Sequence, residues 1–188
     1  MSDISKGFNF LETSDKFCDI TPHPRAVEIA DYEFFWNDGD ALTPFGSDEG
    51  HISLLEAKKW IDSHPDSPMI ECIRWIFSSW DVGIENYNDS ILENKNILRI
   101  IQDYDFDELI LSLDIVLIAT GFGQLVIEGK IDEDIKNIIH LAILRQMNSI
   151  VLDTFLGDNE DWKLDRFNYL TILLDILQEV WFHFSKSF

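Results

Sequence analysis

Apolar residues recur at intervals of three and four along much of the chain, which is the period of a helix that buries one face. This pattern predicts helices over residues 48–63, 67–80 and 134–155, and a last long helix that begins at Asp158 or Asn159. Residues 105–119 are apolar on nearly every side, so they predict a helix at the centre of a bundle. The sequence therefore predicts an all-α fold.

Breaks in the pattern set the organisation of the domain. Pro22 and Pro24 interrupt an opening stretch without a steady period. We expect an irregular N-terminal arm over residues 1–30 and one irregular bundle of five or six main helices over residues 31–188. Within the central apolar stretch, Gly121-Phe122-Gly123 predicts either a bend or close packing where a neighbouring ring needs room.

The charge balance narrows the classes of partner. Lys and Arg number 14 against 35 Asp and Glu, a net charge of -21. Such a surface repels phosphate groups, so we expect no nucleic-acid binding and no docking on anionic membranes. It favours either simple solubility or a basic protein partner.

The cysteines and the chain start bear on the compartment. Cys18 and Cys72 form no CxxC motif and predict reduced thiols in a cytoplasmic protein. The opening residues MSDISKGFNF lack the pattern of a signal peptide, and the run over residues 109–119 is shorter than the roughly 20 residues that span a bilayer. We expect a soluble cytoplasmic protein.

Tests for catalytic and cofactor motifs give no match. A dinucleotide fingerprint would need a third glycine where Val126 stands, and a P-loop would need a hydroxyl residue after Lys130. Asp175, Glu179 and His183 share a helix face, but a solvated acidic face explains them better than a metal site. We therefore predict no cofactor and no metal.

One hypothesis for a site is a small pocket beside the glycine pair. Asp114 is a lone carboxylate among mostly aliphatic neighbours within the central apolar stretch, so burial would shift its pKa. Partners on the next long helix are His140 and Arg145. The hypothetical pocket comprises Asp114, Gly121, Gly123, His140 and Arg145.

The other hypothesis is an interaction surface made of acids and aromatic residues. Aromatic side chains among Asn, Asp and Gly are typical of recognition surfaces, although the same rings could instead cover one end of the bundle. The acids of the last helix and its start would add the charge. The predicted surface comprises Trp36, Asp38, Asp40, Phe45, Asp48, Glu49, Asp158, Glu160, Asp161, Asp175 and Glu179.

Two segments resemble a known family. The stretches FFWNDGDALTPFGSDEG and IATGFGQLVIEGKID are similar to the YfeS-like bacterial proteins. The resemblance implies a bacterial cytosolic protein and transfers no catalytic residue. The leading expectation is a non-enzymatic acidic interaction protein, similar to an immunity protein that neutralises a basic toxin. The alternative is a small enzyme or ligand-binding protein that uses the pocket.

Overall fold

A computed structural model of the chain describes residues 17–79, 83–103 and 108–184. Within these ranges the fold is all-α, as predicted, and contains no β-strand. Three 3-10 helices cover Glu33–Trp36, Ile84–Asn86 and Asp89–Leu92. The α-helices of this part of the chain are α1 (Pro24–Ile29), α2 (Asp48–Ser63), α3 (Met69–Ser78), α4 (Asn94–Asp103), α5 (Glu108–Glu128), α6 (Glu133–Gln146), α7 (Ser149–Leu156) and α8 (Glu160–Phe184).

Helix α5 lies at the centre of the fold, as its apolar sequence predicts. It contacts α1, α2, α3, α6 and α7. Leu117, Phe122, Leu125 and Val126 have no exposed surface. A helix that is apolar all round has to be enclosed in this way, and α5 therefore organises the core.

The expected bend at the glycine pair is wrong, because α5 continues without a break through both glycines. A Cβ atom at Gly121 would lie 2.1 Å from Ile139 Cδ1, and one at Gly123 would lie 3.2 Å from Leu54 Cδ1. The absence of side chains lets α6 and α2 approach α5 closely. The alternative of close packing is thus confirmed, with aliphatic neighbours.

Two local predictions also need correction. The helix expected over residues 134–155 is divided into α6 and α7, because Asn148 begins a new helix by accepting a hydrogen bond from the Ile150 amide at 2.9 Å. The arm expected to be irregular contains α1, which His23 caps at its N-terminus. Residues 1–16 of that arm, and the expected helix start at Asp105, lie outside the described residues.

The buried face of α8 differs from the predicted one. Apolar spacing predicts a packed face made of Phe167, Leu170, Leu174, Leu177, Trp181 and Phe184. Leu170 and Leu177 are buried, but Phe167 is 42% exposed. The buried face begins one residue earlier than predicted, since Arg166 lies inside the core and Phe167 does not. The buried residues of α8 are Arg166, Tyr169, Leu170, Leu173, Ile176, Leu177 and Val180.

One helix is long and apolar enough to cross a membrane by length and composition. This is the Leu111–Glu128 part of α5, which is longer than the predicted apolar run because the helix passes through the glycines. Since 72% of this window is buried inside the fold, it has the burial of a core helix in a soluble protein.

Candidate functional site

Trp36 and Phe45, predicted as aromatic anchors of an interaction surface, are buried. Their side chains are 7% and 0% exposed. Both rings meet Phe35 edge to face, at centroid distances of 5.0 and 5.5 Å, and Phe35 in turn meets Phe122 of α5 at 5.8 Å. The prediction that they form a surface is therefore wrong, and the alternative that they pack onto the bundle is confirmed.

Acidic residues of the same stretch have local roles in the fold. Asp40 accepts a hydrogen bond from the Leu42 amide at 2.9 Å and one from the Tyr169 hydroxyl of α8 at 3.5 Å. Asp48 and Glu49 lie in the first turn of α2, where the helix dipole favours carboxylates. These three acids support the chain path around the buried aromatic rings.

Asp114 pairs with Arg145 in a buried network. Asp114 is 0% exposed. The Arg145 guanidinium donates hydrogen bonds to both carboxylate oxygens, from Nε to Oδ2 at 2.9 Å and from Nη2 to Oδ1 at 2.7 Å. The Tyr87 hydroxyl donates to Asp114 Oδ1 at 3.0 Å and accepts from Arg145 Nη2 at 2.8 Å. Gln146 Nε2 donates to Asp114 Oδ2 at 3.1 Å. Each carboxylate oxygen thus accepts two hydrogen bonds.

Arg166 extends this network to α8. Its Nη2 donates to Gln146 Oε1 at 3.3 Å, and its Nη1 donates to the Leu42 carbonyl at 2.7 Å. Burial lowers the pKa of Arg166 to about 10, so the side chain stays charged at neutral pH. The network therefore joins α5, α6 and α8 to the loop before α2.

Tyr87 and Arg145 keep one protonation state around neutral pH. Burial, together with the charge of Asp114, raises the pKa of Tyr87 well above its usual value. Burial by itself would lower the pKa of Arg145, but the charge of Asp114 raises it above the ordinary value. Tyr87 stays protonated and Arg145 stays charged. Neither Tyr87 nor Arg145 therefore exchanges a proton near pH 7, and their hydrogen bonds hold the network in place.

The structure brings together only some of the residues of the hypothetical pocket. Asp114 and Arg145 meet as predicted, whereas the half-buried His140 makes no hydrogen bond to Asp114 in the described part of the chain. The space beside Gly121 and Gly123 is filled by side chains of α6 and α2. The structure thus places a closed core where the hypothesis expected a cavity.

Exposed apolar side chains concentrate on the first turns of α8. Six large apolar side chains are exposed in the described residues, and three of them are Trp162 at 56%, Leu164 at 55% and Phe167 at 42%. The other three are spread over α2, α3 and α4. Leu164 and Phe167, three residues apart, lie on one side of α8, and Trp162 is exposed on another side of the same turns. Exposed apolar side chains gathered on one short segment mark a contact surface more often than scattered residues do.

Three of the predicted acids lie next to these apolar residues along the chain. Asp158, Glu160 and Asp161 are all exposed. Asp158 and Asp161 have no ion pair within the described residues, whereas Glu160 pairs with Lys163 at 2.9 Å. Lys163 also pairs with Asp153 of α7 at 2.7 Å. Lys163 is the only lysine within residues 158–167, and its charge is balanced within the chain. This segment therefore stays negative.

The two remaining predicted acids lie further along α8. Asp175 is exposed and Glu179 is half-buried. The side chain of His183 lies outside the described residues. No group of three or more His, Cys, Asp or Glu side chains in the described ranges is arranged to hold a metal ion.

A polar cluster around Cys18 had no sequence signal, since its members are far apart in the chain. The Cys18 thiol lies 3.6 Å from His51 Nδ1 and donates weakly to Asp38 Oδ2 at 3.8 Å. Cys18 and Asp19 both have positive φ, in a tight turn closed by Phe17 and Ile20. Burial, followed by the charge of Asp38, raises the pKa of the thiol to about 12. The sulfur is thus protonated at neutral pH and is a poor nucleophile.

Several residues of the buried network and of the exposed segment of α8 were not predicted from the sequence. Gln146 and Arg166 interrupt apolar helix faces, a signal for a buried polar network. Tyr87, in an irregular stretch, offers no such signal. Trp162 and Leu164 alternate with charged residues in EDWKLD, and positions two apart on a helix point to different sides, so the two cannot share one buried face.

Comparisons of the chain with protein-family models, with curated proteins and with solved structures give no significant match.

Proposed function

We propose that this chain is a non-enzymatic interaction protein that binds a basic protein partner through the acidic, apolar surface of α8. In mode it is similar to an immunity protein that covers a cationic toxin surface. We define the binding surface by Trp162, Leu164, Phe167, Asp158 and Asp161.

The observation that carries the proposal is the coincidence of two features on one short segment. Three large apolar side chains are more than two-fifths exposed there. The neighbouring Asp158 and Asp161 have no ion pair in the described residues. Aromatic and aliphatic side chains supply most of the affinity at interfaces, while unpaired charges steer the partner and fix its orientation.

The net charge of -21 selects the sign of the partner. A basic protein gains favourable long-range attraction, and its approach is accelerated at low ionic strength. Nucleic acid and anionic lipid surfaces are repelled by the same field. We further propose that the binding takes place in the bacterial cytoplasm, where both free cysteines, Cys18 and Cys72, remain reduced.

The test is affinity capture from an extract of the native host with matched variants. One variant removes the apolar side chains by Trp162→Ala, Leu164→Ala and Phe167→Ala. Its control replaces exposed apolar residues on other helices, Ile52→Ala, Trp75→Ala and Leu98→Ala. The recovered proteins are quantified and their net charges compared.

A second pair of variants tests the charge. Asp158→Asn and Asp161→Asn remove the two carboxylates of the surface, and Glu160→Gln removes the one beside them. Asp66→Asn, Glu85→Gln and Asp89→Asn remove the same number at exposed positions outside α8.

We expect the wild type and both controls to retain a basic protein that the two α8 variants lose. Raising the salt concentration from about 0.05 to 0.5 M should release it, because exposed charges are then screened. Recovery of acidic or neutral proteins only, equal recovery by the α8 variants, or insensitivity to salt would each overturn the proposal.

A further inference from the structure

Helix α8 has a second, outward face with the spacing of a helix-pairing surface. Its members follow one another at intervals of three and four residues, which keeps them in line on one side of a helix. We call this the outer face and define it by Leu164, Phe167, Thr171, Leu174 and Gln178.

The outer face is distinct from the buried one and is largely open to solvent. Leu164, Phe167, Thr171 and Gln178 are exposed, and Leu174 is half-buried. The Thr171 hydroxyl donates to the Phe167 carbonyl at 2.9 Å, so its hydrogen-bonding capacity is met within the helix. Its methyl group then adds to an apolar strip about two turns long.

Acids follow one edge of the outer face. Asp161, Asn168 and Asp175 recur every seven residues, which places them along one line beside the apolar strip. Both aspartates are exposed. The two cations of described α8 are already engaged, since Lys163 pairs with Asp153 and Glu160, and Arg166 is buried. The edge is therefore negative, with no positive charge of this helix left to offset it.

From this geometry, and resting on the proposed function, we infer that the outer face binds a cationic amphipathic helix of the partner protein. Apolar residues of that helix pack against Leu164 and Phe167. Its Lys or Arg residues lie along the acidic edge at Asp161 and Asp175, as flanking charges do in paired helices.

Charge excludes two other occupants of the outer face. A second copy of this chain also carries a net charge of -21, and antiparallel pairing would set Asp161 of one copy near Asp175 of the other. An anionic membrane surface is repelled in the same way. A cationic helix satisfies both the apolar strip and the charged edge.

The experiment titrates the full chain with two synthetic peptides of identical composition. The first arranges Leu and Lys in a heptad pattern that forms an amphipathic helix, and the second contains the same residues in scrambled order. Binding is followed by calorimetry, and helix formation by circular dichroism. Sedimentation of the chain alone gives its oligomeric state.

We expect the patterned peptide to bind at least about tenfold more tightly than the scrambled one and to become helical on binding. Leu164→Ala and Phe167→Ala should each weaken binding about tenfold, the usual size for a central apolar contact. The matched changes Ile52→Ala and Leu98→Ala should leave it unchanged. Asp161→Asn with Asp175→Asn should reduce its salt dependence.

Equal binding of both peptides would overturn helix recognition and leave attraction to a basic partner intact. Binding of neither peptide would overturn the inference, while capture of a basic host protein would still be decided separately by the α8 variants. A chain that is a dimer and becomes a monomer on Phe167→Ala would assign the outer face to a second copy and overturn it as well.

Discussion

Carboxylates lie in two contrasting settings in this protein. Asp114 is fully buried, and both of its oxygens are held by Arg145, Tyr87 and Gln146. Asp161 is exposed at the start of α8 and has no ion pair in the described residues. The charge of Asp114 is balanced by Arg145 within the chain, so this carboxylate is part of the fold. Asp161 remains available to a partner.

The two settings differ in how much folding stability is lost when a charge there is left without a partner. In the interior the medium screens weakly, so an unmatched ion there costs several kcal/mol. At the surface water and salt screen the charge, and its contribution to stability is small. Substitutions should therefore affect folding in the first region and binding in the second.

The largest effect is expected from Arg145→Ala, which leaves Asp114 buried without its cation. We expect the free energy of unfolding to fall by about 3–5 kcal/mol, measured by urea denaturation. The control is Arg74→Ala, since Arg74 forms an exposed pair with Glu71 at 2.5 Å. That change should cost no more than about 1 kcal/mol. Equal losses of unfolding free energy for the two variants would contradict the expectation that the buried ion pair contributes more to stability than the exposed one.

Tyr87→Phe should cost less, about 1–2 kcal/mol, because Asp114 and Arg145 lose one partner but keep each other. The pH dependence gives a second readout. Because the pKa of Tyr87 is raised in the folded state, its contribution is complete below the unfolded value of about 10 and is lost as the pH rises further.

The wild type should therefore lose stability more steeply than Tyr87→Phe above pH about 10, as followed by denaturation at a series of alkaline pH values. Parallel losses in the two proteins would show that Tyr87 ionises as readily in the folded chain as in the unfolded one.

On the exposed side, Phe167→Ala should change the free energy of unfolding by no more than about 0.5 kcal/mol. Leu170, three residues further along α8, is fully buried, and Leu170→Ala should cost about 2–5 kcal/mol. Thermal and urea unfolding of the pair compare the two faces of one helix. A large loss for Phe167→Ala would indicate that the outer face is part of the core.

The smallest effect is expected from Asp161→Asn with Asp175→Asn. Removing two exposed negative charges from a chain of net charge -21 relieves self-repulsion. We expect a slight rise in the midpoint of thermal unfolding at low salt, which disappears at about 0.5 M salt. A fall in the midpoint would mean that the favourable position of Asp161 in the first turn of α8 outweighs the relief of self-repulsion.

Periodicity predicted those parts of the fold where local signals and packing agree. The sequence offers Ser47 or Asp48 as the cap of α2, and the Ser47 hydroxyl takes this role by accepting from the Gly50 amide at 3.1 Å. The central position of α5 followed from its apolar composition. The division at Asn148 was missed, because the apolar spacing continues across it while one side-chain hydrogen bond starts a new helix.

The candidate site was less predictable, because exposure depends on neighbours that are distant in sequence. Trp36 and Phe45 have the composition of a recognition loop, yet packing against Phe35 buries both. Phe167 fits the expected buried face of α8, but Arg166 takes that place to reach Gln146. Tyr169, Leu173, Ile176 and Val180 are buried on the same side as Arg166, so the outer face is left exposed.

The glycines of α5 carry a consequence for how the protein folds. Each glycine makes an isolated helix less favourable by about 1 kcal/mol relative to alanine, so α5 gains its persistence from the docking of α6 against Gly121 and of α2 against Gly123. Formation of the central helix and assembly of its neighbours then become one cooperative event. The amide hydrogens in the middle of α5 should exchange with solvent only when the whole fold opens.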